Sequence, residues 1–211
     1  MPKSGRSQSL TREEIIEAAL GLIRAHGLPG LTMRAVAAEL GVTPMAVYYY
    51  VADKDELVRL VAETISASRG PLRLGEGGWE ESLRRYLLRV WEESTRYPGL
   101  GTYLINQPTL GVTPESLQDG IRFFEAAGFS PAAARLAWSF SMTYIHGRIS
   151  VDAHLATQPD APRLEGLHAR DYVAFGVDSV IAGLRQALKP DATAGPRQRR
   201  NGHKATAVHD T

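Results

Sequence analysis

The chain has 211 residues, of which 44% are hydrophobic, with a formal net charge of +1 and no cysteine. This length is enough for one large or two small domains with a buried core. The lack of cysteine excludes disulfides, thiol catalysis and cysteine-bound zinc. A net charge near zero gives no general indication of a nucleic-acid partner, and the first sixty residues hold seven Lys/Arg against seven Asp/Glu.

The two ends of the chain are polar. Residues 1–9 lack the apolar segment of a signal peptide, and no run of eighteen apolar residues follows. We therefore expect a cytoplasmic protein with no membrane partner, a disordered arm over 1–9 and a disordered tail over 190–211. Contact of either end with DNA is an alternative that the sequence leaves open.

The first predicted helix begins with a capping box. Thr11 is the N-cap, Glu14 stands at the third helical position, and Gly27 provides the stop. A second helix begins after Thr32 and ends at Gly41. Thr43-Pro44, an N-cap followed by proline, starts a third helix at once.

Two short helices around a glycine-containing turn have the layout of a helix-turn-helix, whose second helix enters the major groove of DNA. Any helical hairpin shares that outline, so the three consecutive tyrosines Tyr48, Tyr49 and Tyr50 matter more. Successive residues are about 100° apart on a helix, so these rings cannot all face one core. At least one tyrosine is expected to face solvent or a partner.

A fourth helix is predicted from the cap Asp53, with Glu56 reaching back from its third position. Lys54 in its first turn does not suit the positive end of the helix dipole, and a phosphate would suit it. A solvated lysine beside Asp53 and Asp55 is the alternative.

From about Thr11 to Leu60 the chain resembles the DNA-binding domain of the tetracycline-repressor (TetR) family of bacterial regulators. The resemblance is carried by Thr32, Gly41-Val42, the three tyrosines and Lys54-Asp55-Glu56-Leu57. It implies phosphate contacts for Thr32, Thr43, Tyr48 and Lys54. It implies base-facing positions for Arg34, Pro44, Met45, Ala46, Tyr49 and Tyr50. Pro44, Met45 and Ala46 offer no side-chain hydrogen bond, so direct base recognition must depend on Arg34 and on contacts with thymine methyl groups.

The remainder of the chain predicts helices as well. We count about nine helices and no convincing strand, hence an all-α protein with a helix-turn-helix DNA-binding domain over 10–56 and a ligand-binding and dimerisation bundle over 57–189. Gly70 to Gly78 is a loop between the DNA-binding head and the larger bundle.

Aromatic and polar residues in the bundle predict a small-molecule site, although each alone is more typical of core. The candidates are Trp91, Tyr103, Asn106, Trp138, Tyr144 and His146. The resemblance implies an effector, expected to be apolar or aromatic, that shifts the protein away from its DNA-binding state.

The last predicted helix has an apolar face suited to a partner helix or to the chain's own core. That face consists of Phe175, Val177, Val180, Ile181 and Leu184. By resemblance the last two long helices of two subunits form a four-helix homodimer interface. A homodimer implies a palindromic double-stranded DNA operator.

Neither a metal nor a catalytic site is expected. His146, Asp152 and His154 are the local metal candidates, but Asp152 and His154 lie on different helical faces. No catalytic or phosphate-binding motif occurs, so we expect neither an enzyme nor a cofactor. A helical ligand-binding or interaction protein without specific DNA binding is the alternative. Repression is the usual mode of regulation in the family that the chain resembles. The sequence does not identify the effector, the operator or the regulated genes.

Overall fold

The structure, a computed structural model, describes residues 10–106, 114–158 and 166–188. Within these residues it contains nine α-helices and no β-sheet, which confirms the all-α prediction. The helices are α1 (Arg12–Gly30), α2 (Met33–Leu40), α3 (Pro44–Tyr48), α4 (Lys54–Arg69), α5 (Gly78–Arg96), α6 (Leu100–Ile105), α7 (Pro114–Ala126), α8 (Pro131–Ala156) and α9 (Ala169–Ala187). The predicted arm (1–9) and tail (190–211) lie outside the described residues.

The N-terminal helices begin where their caps predict. Thr11 Oγ1 accepts a hydrogen bond from the Glu14 amide at 3.2 Å, and the Thr11 amide donates to Glu14 Oε2 at 3.0 Å. At Gly27 the backbone leaves helical geometry with φ of 68°, a conformation that costs glycine little. The regular part of α1 therefore stops at the predicted glycine, and one more turn follows.

The N-terminal core extends beyond the predicted domain. It contains buried apolar residues of α1, α2 and α3 together with the α4 residues from Leu57 to Ile65. The predicted bounds of 10–56 and 57–189 place α4 with the bundle, although the sequence also predicted a loop between the two domains at Gly70 to Gly78. The packing joins α4 to the N-terminal core. By packing, the boundary falls in the loop after Arg69, because Leu72 already belongs to the second core.

A return segment, residues 97–103, leads from the second domain back into the first. Tyr97 and Leu100 are buried in the N-terminal core. The Leu28 amide donates to the Pro98 carbonyl at 2.8 Å, and Arg24 Nη2 donates to Tyr97 Oη at 2.9 Å. Backbone and side-chain bonds therefore fix α6 to the head.

The second core is formed by α5, α7, α8 and α9. Its interior includes an aromatic cluster in which Phe124 contacts Phe123 and Phe129 with ring centroids 5.2 and 5.1 Å apart. Charged pairs join α5 to α9 on the outside, namely Arg84 with Asp178 and Arg185 with Glu80. No helix in the described ranges has the length and apolarity to cross a bilayer.

Candidate DNA-binding surface and ligand cavity

The turn between α2 and α3 has the geometry that the sequence predicts. Thr32 Oγ1 accepts from the Ala35 amide at 3.0 Å and caps α2. Gly41 adopts φ of 67°, and the Val42 amide donates back to the Ala37 carbonyl at 2.9 Å. Thr43 Oγ1 then accepts from the Ala46 amide at 3.4 Å, so α3 begins after a turn of three residues, 41–43.

The short helix α3 presents large side chains to solvent. Val47 is fully buried and anchors the helix, whereas Met45 is 77% exposed and Tyr49 is 85% exposed. Tyr48 is exposed as well. Tyr50 is partly buried against the N-terminal core, with its ring edge-on to Tyr49 at 5.2 Å. The prediction that the three tyrosines cannot share one core is confirmed.

The charged side chains around this surface differ in whether they have a partner within the protein. Arg34 is exposed and has no side-chain partner within the described part of the chain, while Lys54 Nζ donates to the Leu28 carbonyl at 3.5 Å. Two acids in the first turn of α4 have partners: Asp55 accepts from Tyr103 Oη, and Glu56 pairs with Arg12. Arg34 therefore remains available to a partner, whereas Glu56 is already paired with Arg12.

One predicted cap contact differs. Asp53 caps α4 as expected, with Oδ1 accepting from the Glu56 amide at 2.8 Å. Glu56 Oε2, however, accepts from the Ala52 amide at 2.7 Å, one residue before the predicted partner. The salt bridge from Arg12 on α1 occupies the other Glu56 oxygen, and this contact is not visible in the local sequence.

A cavity of about 580 Å³ lies where α4 and α6 meet the bundle. Apolar and aromatic side chains make up most of its lining. Three polar residues, Arg69, Glu93 and His146, also line it. Arg69 in the last turn of α4 donates from Nε to Glu93 Oε2 at 2.7 Å. Burial, and to a smaller degree the charge of Arg69, hold the pKa of His146 below its usual value, so this imidazole is neutral at pH 7.

The structure brings two of the six predicted ligand residues to this cavity, Trp138 and His146. The other four lie elsewhere. Trp91 Nε1 donates to Asp152 at 2.7 Å, and Tyr103 Oη donates to Asp55. Tyr144 Oη donates to backbone carbonyls of α9, and Asn106 Nδ2 donates to the Thr102 carbonyl at 2.9 Å. Each of these four side chains already has a hydrogen-bond partner within the chain.

Sequence reasoning missed Arg69, Glu93 and Tyr86 as cavity residues. Arg69 and Glu93 lie on different helices, 24 residues apart, in stretches that resemble ordinary solvated faces. The available signal was Tyr86, which stands on the apolar side of α5 with a polar tip.

The predicted dimer residues require a correction. Val177, Val180, Ile181 and Leu184 are between 0% and 7% exposed in the single chain, because α9 packs them into its own core. Only Phe175, which is 76% exposed, remains available to a partner. An apolar helical face indicates that the face is buried. The periodicity of its residues does not show whether the chain's own core or a second subunit buries it.

A stripe along α8 and one residue of α9 are exposed and apolar. The stripe on α8 includes Leu136, Phe140, Gly147 and Val151, which follow helical spacing along one side, and the residue on α9 is Phe175. An added Cβ at Gly147 would meet no atom within 4 Å. We call this set of residues the outer α8–α9 face.

Comparison with known proteins agrees with this fold and surface. The sequence profile described as bacterial regulatory proteins, tetR family, matches residues 15–61. The HTH-type transcriptional repressor DrrR1 of Streptomyces coeruleorubidus is 37% identical over 121 residues, covering 57% of this chain but only 44% of that repressor. Tetracycline repressor protein class D of Escherichia coli is 29% identical over 157 residues, 72% of each chain.

A solved structure shares the whole architecture. A variant of TetR from Acinetobacter baumannii AYE, in complex with minocycline, has a TM-score of 0.67 and 26% identity, covering 86% of this chain and 99% of that chain. The structural similarity extends over both the helix-turn-helix and the helical bundle. Residues 15–61 are thus similar to the tetR family of bacterial regulatory proteins, and most of the chain is similar to tetracycline repressors.

Proposed function

We propose that the protein is a homodimeric transcriptional repressor that binds a palindromic operator and is released from it by a small-molecule effector. The observation that carries this proposal is the exposed α3 surface. The five-residue helix α3, fixed by the buried Val47, presents Met45 and the following Tyr49 to solvent, although both residues are large and partly apolar. Such side chains on a helix-turn-helix suit contact with base edges and thymine methyl groups.

The phosphate contacts are compatible with the caps. Thr32 and Thr43 each use an oxygen lone pair to cap a helix, so the hydroxyl hydrogen remains available to a phosphate oxygen. Lys54 and Tyr48 supply further donors, and Arg34 supplies the guanidinium that can bind a guanine edge.

Dimerisation is proposed through the outer α8–α9 face. Its exposed apolar residues lie on the two longest C-terminal helices, and two copies related by a two-fold axis would form a four-helix interface. A dimer presents two α3 helices to two half-sites, which approximately doubles the contact free energy of one short helix.

The cavity is the proposed effector site. It is lined by α4 and α6, and both of these helices also contribute to the N-terminal core. The structure of the Acinetobacter relative contains minocycline, which supports a ligand-binding role for the equivalent domain here. The relatives are transcriptional regulators, so we propose a regulatory and not a catalytic role, exercised in the cytoplasm where the operator lies.

The experiment that tests the function is selection of random DNA duplexes by the purified chain at near-physiological salt with nonspecific competitor. We expect enrichment of a palindrome, and loss of that enrichment in Met45→Ala/Tyr49→Ala. Gly21→Ala, an exposed position on α1, is the matched control and should select the same sequence. If the parent enriches no sequence, the chain is a ligand-binding protein without specific DNA recognition.

A further inference from the structure

Met45 carries an exposed sulfur atom on the candidate DNA-binding surface. The chain has four methionines and no cysteine. Met33 is 7% exposed in the N-terminal core, and Met142 is partly buried in the wall of the cavity, whereas Met45 is 77% exposed. Among the methionines in the described part of the chain, Met45 is therefore the one that a dissolved oxidant reaches most easily. No thiol of the chain competes for that oxidant.

The position of Met45 links its sulfur to DNA binding. It is the second residue of α3, between Pro44 and Ala46. The Tyr49 amide donates to the Met45 carbonyl at 3.2 Å, so these two exposed side chains lie one turn apart on the same side of the helix. Val47 is fully buried and faces the core from the opposite side. The chemistry of Met45 can therefore change without a change in the packing of the head.

Oxidation of the Met45 thioether by a hydroperoxide is a balanced two-electron reaction. The sulfur attacks one peroxide oxygen, an S–O bond forms and the O–O bond breaks. The sulfur loses two electrons, and the departing oxygen takes up the proton of the transferred oxygen. Hydrogen peroxide thus gives methionine sulfoxide and water. Sulfoxide reductases, one for each epimer, return the product to methionine.

The added oxygen changes what α3 offers to a base pair. A thioether is apolar and suits the methyl group of thymine, whereas a sulfoxide is polar, accepts hydrogen bonds and donates none. The neighbouring side chains of Pro44 and Ala46 hold no donor for it. The oxygen would therefore lose water against a thymine methyl group without a replacement partner. The charge of the head stays the same, so its attraction to phosphates is retained.

We propose that Met45 is a reversible oxidation site, at which a peroxide converts the protein to a form that binds its operator more weakly and still binds DNA nonspecifically. The effect on the operator rests on the proposed function, because it requires that α3 contacts DNA. The selectivity for Met45 rests on exposure alone.

The test measures oxidation at each methionine and DNA affinity in the same sample. The full chain is treated with dilute hydrogen peroxide, quenched with free methionine at intervals, and divided between peptide mass spectrometry and fluorescence anisotropy with the selected operator. Met45 should be oxidised about tenfold faster than Met33, in line with their exposures. Complete oxidation of Met45 should raise the operator Kd about tenfold and leave the Kd for a nonspecific duplex unchanged. Treatment with sulfoxide reductases of both types should restore the original Kd.

Two variants assign the effect to one sulfur atom. Met45→Leu keeps an apolar side chain without sulfur, so peroxide should leave the operator Kd of this variant at its own starting value. Met142→Leu is the matched control, because it removes another partly accessible sulfur and should keep the loss of affinity on oxidation. Met1 lies outside the described residues and is present in both variants, so a loss caused by Met1 would also appear in Met45→Leu.

An unchanged operator Kd after complete oxidation of Met45 would overturn the proposal, and so would an equal loss of affinity in Met45→Leu. Oxidation of Met33 as fast as Met45 would overturn the selectivity. An equal loss of affinity for the nonspecific duplex would mean that the head had unfolded, which also contradicts the proposal. A chain that selects no palindrome refutes the proposed function, whereas a palindrome whose binding is indifferent to oxidation refutes only this inference.

Discussion

Replacing Phe175 by alanine should separate the dimer while leaving the subunit folded. The ring is 76% exposed in the single chain. A phenylalanine side chain of about 200 Å² would then bury about 150 Å² in the interface, and the part lost on truncation corresponds to about 3 kcal/mol. In a two-fold dimer both subunits carry the substitution, so the loss occurs twice. The dimer is therefore weakened by at most about 6 kcal/mol, or about 10⁴-fold in Kd. Ordering the side chain at the interface offsets part of this figure.

Sedimentation velocity over a wide concentration range measures the dimer Kd, and far-UV circular dichroism reports helix content. Leu74→Ala, at a partly exposed position in the loop before α5, is the matched control and should keep the parent Kd. Val180→Asp should behave differently from both, because Val180 is 4% exposed and its charge would enter the core, causing loss of helix. A Phe175→Ala variant with unchanged Kd would place the interface elsewhere.

Three further predictions concern the DNA surface, the cavity wall and acid stability. Tyr49→Ala should weaken operator binding at least tenfold in a gel-shift titration, with its melting temperature close to that of the parent, because Tyr49 is 85% exposed; unchanged affinity would remove it from the interface. Gly120→Ala should lower the free energy of unfolding by about 1–3 kcal/mol in urea, because an added Cβ would come within 2.1 Å of the Trp138 ring, whereas Gly21→Ala should not destabilise; equal stabilities of the Gly120→Ala variant and the parent would show that the wall yields without cost. The lowered pKa of His146 means that the unfolded chain binds the proton more readily, so this residue's contribution to stability is present above about pH 6.5 and is lost as the pH falls towards the folded-state pKa. His146→Phe should therefore show a smaller drop in unfolding free energy between pH 7.5 and 5.5 than the parent, and identical drops would contradict the assignment.

Local signals in the sequence were sufficient for the helices. Thr11, Thr32, Thr43 and Asp53 each cap a helix at the predicted place, because a cap depends on residues within three positions of it. Gly41 ends α2 for the same local reason. These short-range rules also gave the helix-turn-helix and the exposure of its tyrosines.

Long-range partners were not predictable in the same way. Trp91 was expected at the ligand because an indole N–H needs an acceptor, but nothing within α5 indicates that Asp152, 61 residues later, provides it. The buried face of α9 was equally ambiguous, because an apolar stripe is the same whether its neighbour is α8 or a second subunit. Arg69 and Glu93 become a cavity pair only through the packing of α4 on α5.

The return segment has a consequence for protein engineering. Chimeric regulators that join the head of one protein to the sensor of another assume that the head ends at a point along the chain. Here Tyr97 and Leu100 fill part of the head's core, and the Pro98 carbonyl accepts a hydrogen bond from the Leu28 amide of the head. A head that is excised at the 70–77 loop would lack these residues. Its core would then have a gap, which a segment of the other protein would have to fill. A compatible graft must carry residues 97–103 together with residues 10–69, as two separate pieces of sequence that make one structural part.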